Sequence, residues 1–274
     1  MLTEPTLDRL RALHLGAMAD AYRVQLQDPA IGTLSFDERV GLLVDAEHLS
    51  RDNRKLARRL NEAKLRMPQA CLEDIEYAPR RELDRPLIRQ LATGQWIAEH
   101  RNVLITGATG VGKTYLACAL GQHACRHRYR ALYRRLPRFF QELALARADG
   151  SYPTLLARLA RVDVLLLDDW GLAALTDVQR QDLLEVMEDR DATRSTIITS
   201  QLPRDQWHAY LGDPTSADAV SHSAHRHHRV HAERRPETDQ HRPCTTSLSL
   251  GGEHRIPYPA AQRRFAPITM PWSA

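Results

Sequence analysis

The chain has 274 residues, 43% of them hydrophobic, with 38 Lys and Arg against 34 Asp and Glu. These proportions fit one large or two modest globular domains and argue against a disordered chain. No apolar run approaches the roughly 20 residues needed to cross a bilayer, and the polar start MLTEPTLDRL is unlike a secretory leader, so a cytoplasmic protein without membrane contact is expected. The four cysteines form no C-x-x-C pair, which predicts reduced, mostly buried thiols. The formal charge of +4 is unevenly placed: residues 1–220 hold 27 Arg and 3 Lys against 30 acids, so the whole excess falls in residues 221–274.

Leu7, Leu10, Leu13, Met18, Tyr22 and Leu26 recur at helical spacing and predict one amphipathic helix over 6–27. After the break at Asp28-Pro29, Ser35 and Glu38 form a capping-box pattern, which predicts a long helix running to about Arg66 with a basic second half. A mixed segment over 71–86 leads to a helix over 87–99. The short apolar run NVLIT at 102–106 then reads as a strand. Beyond it helices are expected at 114–127, 139–148 and 178–188 and strands at 131–134, 162–167 and 195–200. Such alternation implies a parallel sheet covered on both faces.

Between the strand at 102–106 and the helix that follows lies GATGVGKT, which satisfies G-x-x-x-x-G-K-[ST] at every fixed position. Gly107, Ala108, Thr109, Gly110, Val111 and Gly112 supply a loop whose amides can converge on a phosphate at a helix N-terminus. Lys113 is placed to reach the β- and γ-phosphates, and Thr114 to offer its hydroxyl to Mg2+. The buried-strand pattern VLLLDD ends in two carboxylates. Asp168 is expected to hold the metal, through water, and Asp169 to orient or deprotonate the attacking water. STIITSQ at 195–201 is a strand with a polar end, where Ser200, and next Gln201, is the candidate for sensing the γ-phosphate.

The order of these motifs resembles the IstB-like ATP-binding proteins, close to the DnaC helicase loaders within the AAA+ ATPases. The likeness is carried by LGAMADAY at 15–22, SFDERVGLLVDAE at 35–47, NRKLARRLNEAKLR at 53–66, the loop region at 102–121, LARADGSY at 145–152, LLLDDWGL at 165–172 and STIITSQLP at 195–203. It implies an α/β P-loop NTPase domain of the AAA+ type at 101–219, preceded by an all-α domain at 1–100 for oligomer contacts and DNA handling. It also implies ATP and Mg2+ as cofactors, a homo-oligomer, double-stranded DNA and a transposase as partners, and ATP hydrolysis in support of transposition. A replicative helicase loader and a truncated, non-hydrolysing ATP-binding relic are the alternatives. Two basic stretches are candidates for DNA contact: the helix at 51–66, and Arg126, Arg128, Arg130, Arg134, Arg135 and Arg138.

The resemblance ends near Ala219. From 220 the chain is rich in Arg, His and Pro without helical or strand periodicity, which predicts an aberrant tail without regular structure, explained by a frameshift near codon 220. That would remove the family's helix with an Asp-Arg pair, and with it an arginine for the neighbouring γ-phosphate. The competing reading of the tail is a metal-binding run of His222, His225, His227, His228 and His231.

Overall fold

Five strands set the architecture of the computed structural model: β1 (Asn102–Gly107), β2 (Ala131–Arg135), β3 (Val164–Trp170), β4 (Ser195–Ser200) and β5 (His227–Ala232). All pairings are parallel, in the order β2-β3-β4-β1-β5. The structure describes residues 3–77, 83–203, 206, 207, 210 and 227–232, all within one compact unit, Met1–Arg235.

Side chains alternate across the pleat and build a separate core on each face. On one face Val103, Ile105, Tyr133, Val164, Leu166, Ile197 and Val230 pack against α6 (Lys113–Arg126) and the helices that precede β1. On the other Leu104, Leu132, Leu165, Leu167, Trp170 and Ile198 pack against α7 (Leu136–Ala148), α8 (Tyr152–Ala160) and α9 (Asp177–Arg190). Burial on both sides explains why β1 and β3 read as largely apolar runs and why β4, though four of its six residues are Ser or Thr, is buried throughout. Arg190, itself buried, ties α9 to these strands: its guanidinium donates to the carbonyls of Leu159, Val162 and Ser195 and to Thr196 Oγ1.

The N-terminal helices depart from the expected pair. The helix expected over 6–27 is two, α1 (Thr3–Ala12) and α2 (Gly16–Gln27), because His14 takes a left-handed φ of 59° between them. α3 (Phe36–Ala63) starts at the expected capping box: Glu38 N–H donates to Ser35 Oγ and Ser35 N–H to the Glu38 carboxylate. It ends at Lys64, which is left-handed. The helix expected over 87–99 is likewise split, into α4 (Arg85–Leu91) and α5 (Gln95–Ala98), at Gly94 with φ 72°. α8 was not expected, although Leu155, Leu156 and Leu159 carry its apolar face and a proline opens it.

The stretch from 220 on also needs correction. Residues 227–232 form β5, in register with β1 from Asn102↔His227 to Gly107↔Ala232, with Val230 buried. So polar a strand can pair because it sits at the sheet edge, where the β1 backbone supplies its hydrogen bonds. The rest of 220–274, including His222 and His225, lies outside the described residues. Among the described residues no three His, Cys, Asp or Glu side chains gather as a metal site, and none of Cys71, Cys118 and Cys125 is in a disulfide.

Candidate nucleotide-binding site

The carboxyl ends of β1, β3 and β4 open onto one crevice, the place where open parallel sheets bind ligands. β1 runs into the loop and α6 leaves it, so the N-terminus of a 14-residue helix faces the crevice. Gly110 and Gly112 take φ values of 82° and 96°, and a Cβ at either would meet nothing within 4 Å, so the loop forms an open cradle. Lys113 folds back over it, Nζ donating to the carbonyls of Gly107 and Ala108 at 2.8 Å each. Burial lowers the Lys113 pKa, and the charges of Asp168 and Asp169 partly offset this.

Asp168 lies 1% exposed at the end of β3 and gathers the second half of the site. Thr114 Oγ1 is 3.0 Å from both of its carboxylate oxygens. Tyr133 on β2 donates to Oδ2 at 2.6 Å, and Thr199 on β4 donates to Oδ1. Burial and this carboxylate together raise the Tyr133 pKa. The Arg66 guanidinium, just past α3, lies 3.8 Å from Oδ2. Oxygen ligands on a loop hydroxyl and a buried carboxylate suit Mg2+, which keeps several waters and takes only one or two protein ligands. Thr114 and Asp168 therefore fit the metal role.

Asp169 leaves the strand geometry. Its φ is 65°, the β3–β4 register shifts between Leu167 and Trp170, and its amide donates to Thr199 Oγ1 at 3.2 Å. A non-glycine residue in this conformation is strained and typical of working sites. The carboxylate forms an ion pair with Arg135 at the end of β2, which raises the Arg135 pKa. Gly171 then reverses the chain with φ 81°, where a Cβ would stand 2.4 Å from Leu202 Cδ1.

Ser200 does not join this cluster. It is buried, its Oγ donating to the Trp170 carbonyl at 3.1 Å and accepting from Leu202 N–H at 3.0 Å. The strand end touches the loop through its neighbour: Thr109 Oγ1 donates to Gln201 Oε1 at 2.9 Å. Thr199 and Tyr133 are not among the expected site residues, and Arg66 and Arg135, read from the sequence as parts of the basic stretches, pair here with Asp168 and Asp169. Thr199 had a signal, since it precedes Ser200 and faces the opposite side of the strand.

Beside the loop an apolar cavity of about 330 Å³ is lined by Ile75, Leu83, Ile105, Val111, Tyr115 and Leu116, with Asp74 and Glu76 at hand. The basic stretches are less bare than their sequence suggests. Arg134 is buried against Glu142, Arg126 pairs with Glu73 and Arg128 with Asp52, so 126–138 is no continuous cationic surface. On α3, Arg51, Arg54, Lys55 and Arg58 line an open groove with His14, although Arg51 and Arg54 share the buried Glu47.

A parallel sheet of this order, with a phosphate loop after β1 and a carboxylate pair ending β3, defines a P-loop NTPase fold of the AAA+ type. A solved structure of DnaI shares the fold, with a TM-score of 0.51 at 22% identity over 60% of this chain and 91% of that one. The profile of the IstB-like ATP binding protein family matches residues 8–240, and the chain belongs to that family. The match continues beyond 219, where the sequence reading ended it, and takes in β5. An insertion sequence IS1162 ATP-binding protein from Pseudomonas fluorescens is 54% identical over 203 residues, 74% of this chain and 88% of its own. An insertion sequence ATP-binding protein from Sinorhizobium fredii is 50% identical over 230 residues, 82% and 94% of the two chains.

Proposed function

We propose that this protein binds ATP with Mg2+ at Gly107–Thr114 and hydrolyses it, as a cytoplasmic accessory ATPase that assembles on double-stranded DNA and assists a partner transposase at its target. The observation that carries the chemistry is the contact of Thr114 with the buried Asp168 beside a loop that Lys113 folds over, with the Asp169 backbone joined to Asp168 through the Thr199 hydroxyl. The names of the insertion-sequence relatives carry the biological setting.

In this reading the apolar cavity beside Val111 and Tyr115 seats the base, and the loop amides hold the phosphates. Lys113 exchanges two backbone carbonyls for phosphate oxygens. Thr114 and Asp168 would hold the metal, which would supply positive charge to offset that of the phosphates. Asp169 orients the attacking water and takes its proton, with the Arg135 ion pair holding the carboxylate in place. Gln201 serves as the γ-phosphate sensor, and Ser200 supports it by pinning the strand end to the Trp170 carbonyl. Residues 1–100 provide oligomer contacts and DNA handling, with the α3 groove at Arg51–Arg58 as the phosphate-tracking surface, and 101–219 carry ATP turnover.

The test is nucleotide binding, ATP turnover and DNA binding of the purified protein beside Lys113→Ala and Asp169→Asn. Lys113→Ala should lose nucleotide affinity. Asp169→Asn should keep it and slow turnover about 10²- to 10⁴-fold, the range for loss of a general base. Unchanged nucleotide binding in Lys113→Ala would overturn the assignment, and full turnover in Asp169→Asn would remove Asp169 from the chemistry.

A further inference from the structure

The carboxylate of Asp168 is almost completely buried, and the partners that hydrogen-bond it are neutral hydroxyls, those of Thr114, Tyr133 and Thr199. A buried negative charge is stabilised when a cation lies close to it. Lys113 is directed instead to the carbonyls of Gly107 and Ala108. The cation that reaches Asp168 comes from outside the ATPase core: Arg66, at 3.8 Å, from the segment that leaves α3.

Arg66 is firmly mounted at its base. Lys64 ends α3 in a left-handed turn, Ala63 and Leu65 are buried, and Leu65 packs where a Cβ on Gly121 of α6 would stand 3.0 Å away. A few residues on, Tyr115 of α6 donates its hydroxyl to the Cys71 carbonyl at 3.3 Å. The guanidinium itself is about half exposed and makes a long ion pair. That combination supplies charge to the carboxylate while leaving the side chain able to swing away.

We infer that Arg66 is a placeholder cation: it neutralises Asp168 while the nucleotide site is empty and is displaced when a divalent metal enters with the nucleotide. This rests on the proposed Mg–ATP site and adds a regulatory residue contributed by the N-terminal helices. Guanidinium and metal compete for one carboxylate, so loading the site releases the segment after α3 from the end of β3. Through Leu65 that segment is continuous with the helix bearing the basic groove.

The experiment is a Mg2+ titration of fluorescent ATP-analogue binding to wild type, Arg66→Gln and Arg66→Lys, with folding checked by circular dichroism and an EDTA baseline for metal-free binding. Removing a competing, partly exposed charge should lower the half-saturating Mg2+ concentration of Arg66→Gln about two- to fivefold, with Arg66→Lys remaining near wild type because it keeps the charge. An Arg66→Gln titration that coincides with wild type or moves to higher Mg2+ overturns the inference and leaves the site intact. Wild type without any Mg2+-dependent binding would remove the site itself, and the placeholder with it. A misfolded Arg66→Gln leaves Arg66→Ala, read the same way, and limited trypsin cleavage after Arg66 in wild type. Mg2+ with nucleotide should accelerate that cleavage, and equal or slower cleavage counts against displacement.

Discussion

Replacing Thr199 with Val keeps the β-branched shape that suits a buried strand while deleting one hydroxyl with two jobs. That hydroxyl donates to the Asp168 carboxylate and accepts the Asp169 amide at 3.2 Å. A hydrogen bond to a charged group contributes about 1.5–3 kcal/mol, and a partly buried amide left without its acceptor costs about 1–3 kcal/mol. Remaining donors from Thr114 and Tyr133 soften the first loss, so the sum should fall near 2–4 kcal/mol. Urea unfolding should show a lower midpoint at an unchanged slope, and the Mg2+ requirement for nucleotide binding should rise because Asp168 is less firmly aimed. Ser200→Ala is the companion variant. Its hydroxyl bridges two neutral backbone groups, so it should lose about 1–2 kcal/mol with nucleotide binding retained. A stability change below about 0.5 kcal/mol in Thr199→Val, within the range of ordinary surface substitutions, would refute the account of how Asp168 and Asp169 are held. A Ser200→Ala variant of wild-type stability that loses turnover would return the sensor position to Ser200.

Three further outcomes follow from particular contacts. Gly171→Ala must accept a φ of 81° and a Cβ 2.4 Å from Leu202 Cδ1, so it should lose about 1–3 kcal/mol, measured by thermal unfolding. Arg190→Lys cannot reproduce a fork that serves Leu159, Val162, Ser195 and Thr196 together, so a loss of about 3 kcal/mol is expected in the same assay. The third concerns His228 on β5, whose pKa is lowered by burial first and by Arg101 second, with Glu99 opposing. The folded state therefore binds fewer protons than the unfolded chain just below pH 6.5, and stability falls as pH drops through that window. His228→Gln should flatten the fall, and identical pH profiles would count against the burial of this ring.

What could be read from the sequence was whatever depends on neighbours in the chain. The phosphate loop, the capping box at Ser35 and Glu38, the apolar runs of β1 and β3 and the β-branched run of β4 each carry their own signal in nearby residues. The approach of Asp168 to Thr114, 54 residues apart, is the exception, readable because a phosphate loop after one strand and a carboxylate ending another are a known pair. The partners of Asp168 could not be read this way. Tyr133 reaches it only because β2 lies beside β3, and Thr199 only because β4 lies on the other side, facts of strand order on which the letters are silent. The helix breaks at His14 and Gly94 were hidden for a related reason, since single left-handed residues interrupt an apolar period without disturbing it.

β5 marks the limit of pattern reading most clearly. HHRVHA has two apolar residues in six, Val230 and Ala232, and sits in a stretch whose composition argues against order. Hydrophobic alternation is a signal of burial, and an edge strand buries little, so absence of the pattern there says nothing about pairing. Its place in the sheet comes from β1: six residues align with Asn102–Gly107, and His231 Nδ1 lies 2.9 Å from Thr106 Oγ1, one residue before the phosphate loop begins. A segment that composition set aside as tail thus adjoins the strand that presents the loop, and its loss would expose that strand's edge.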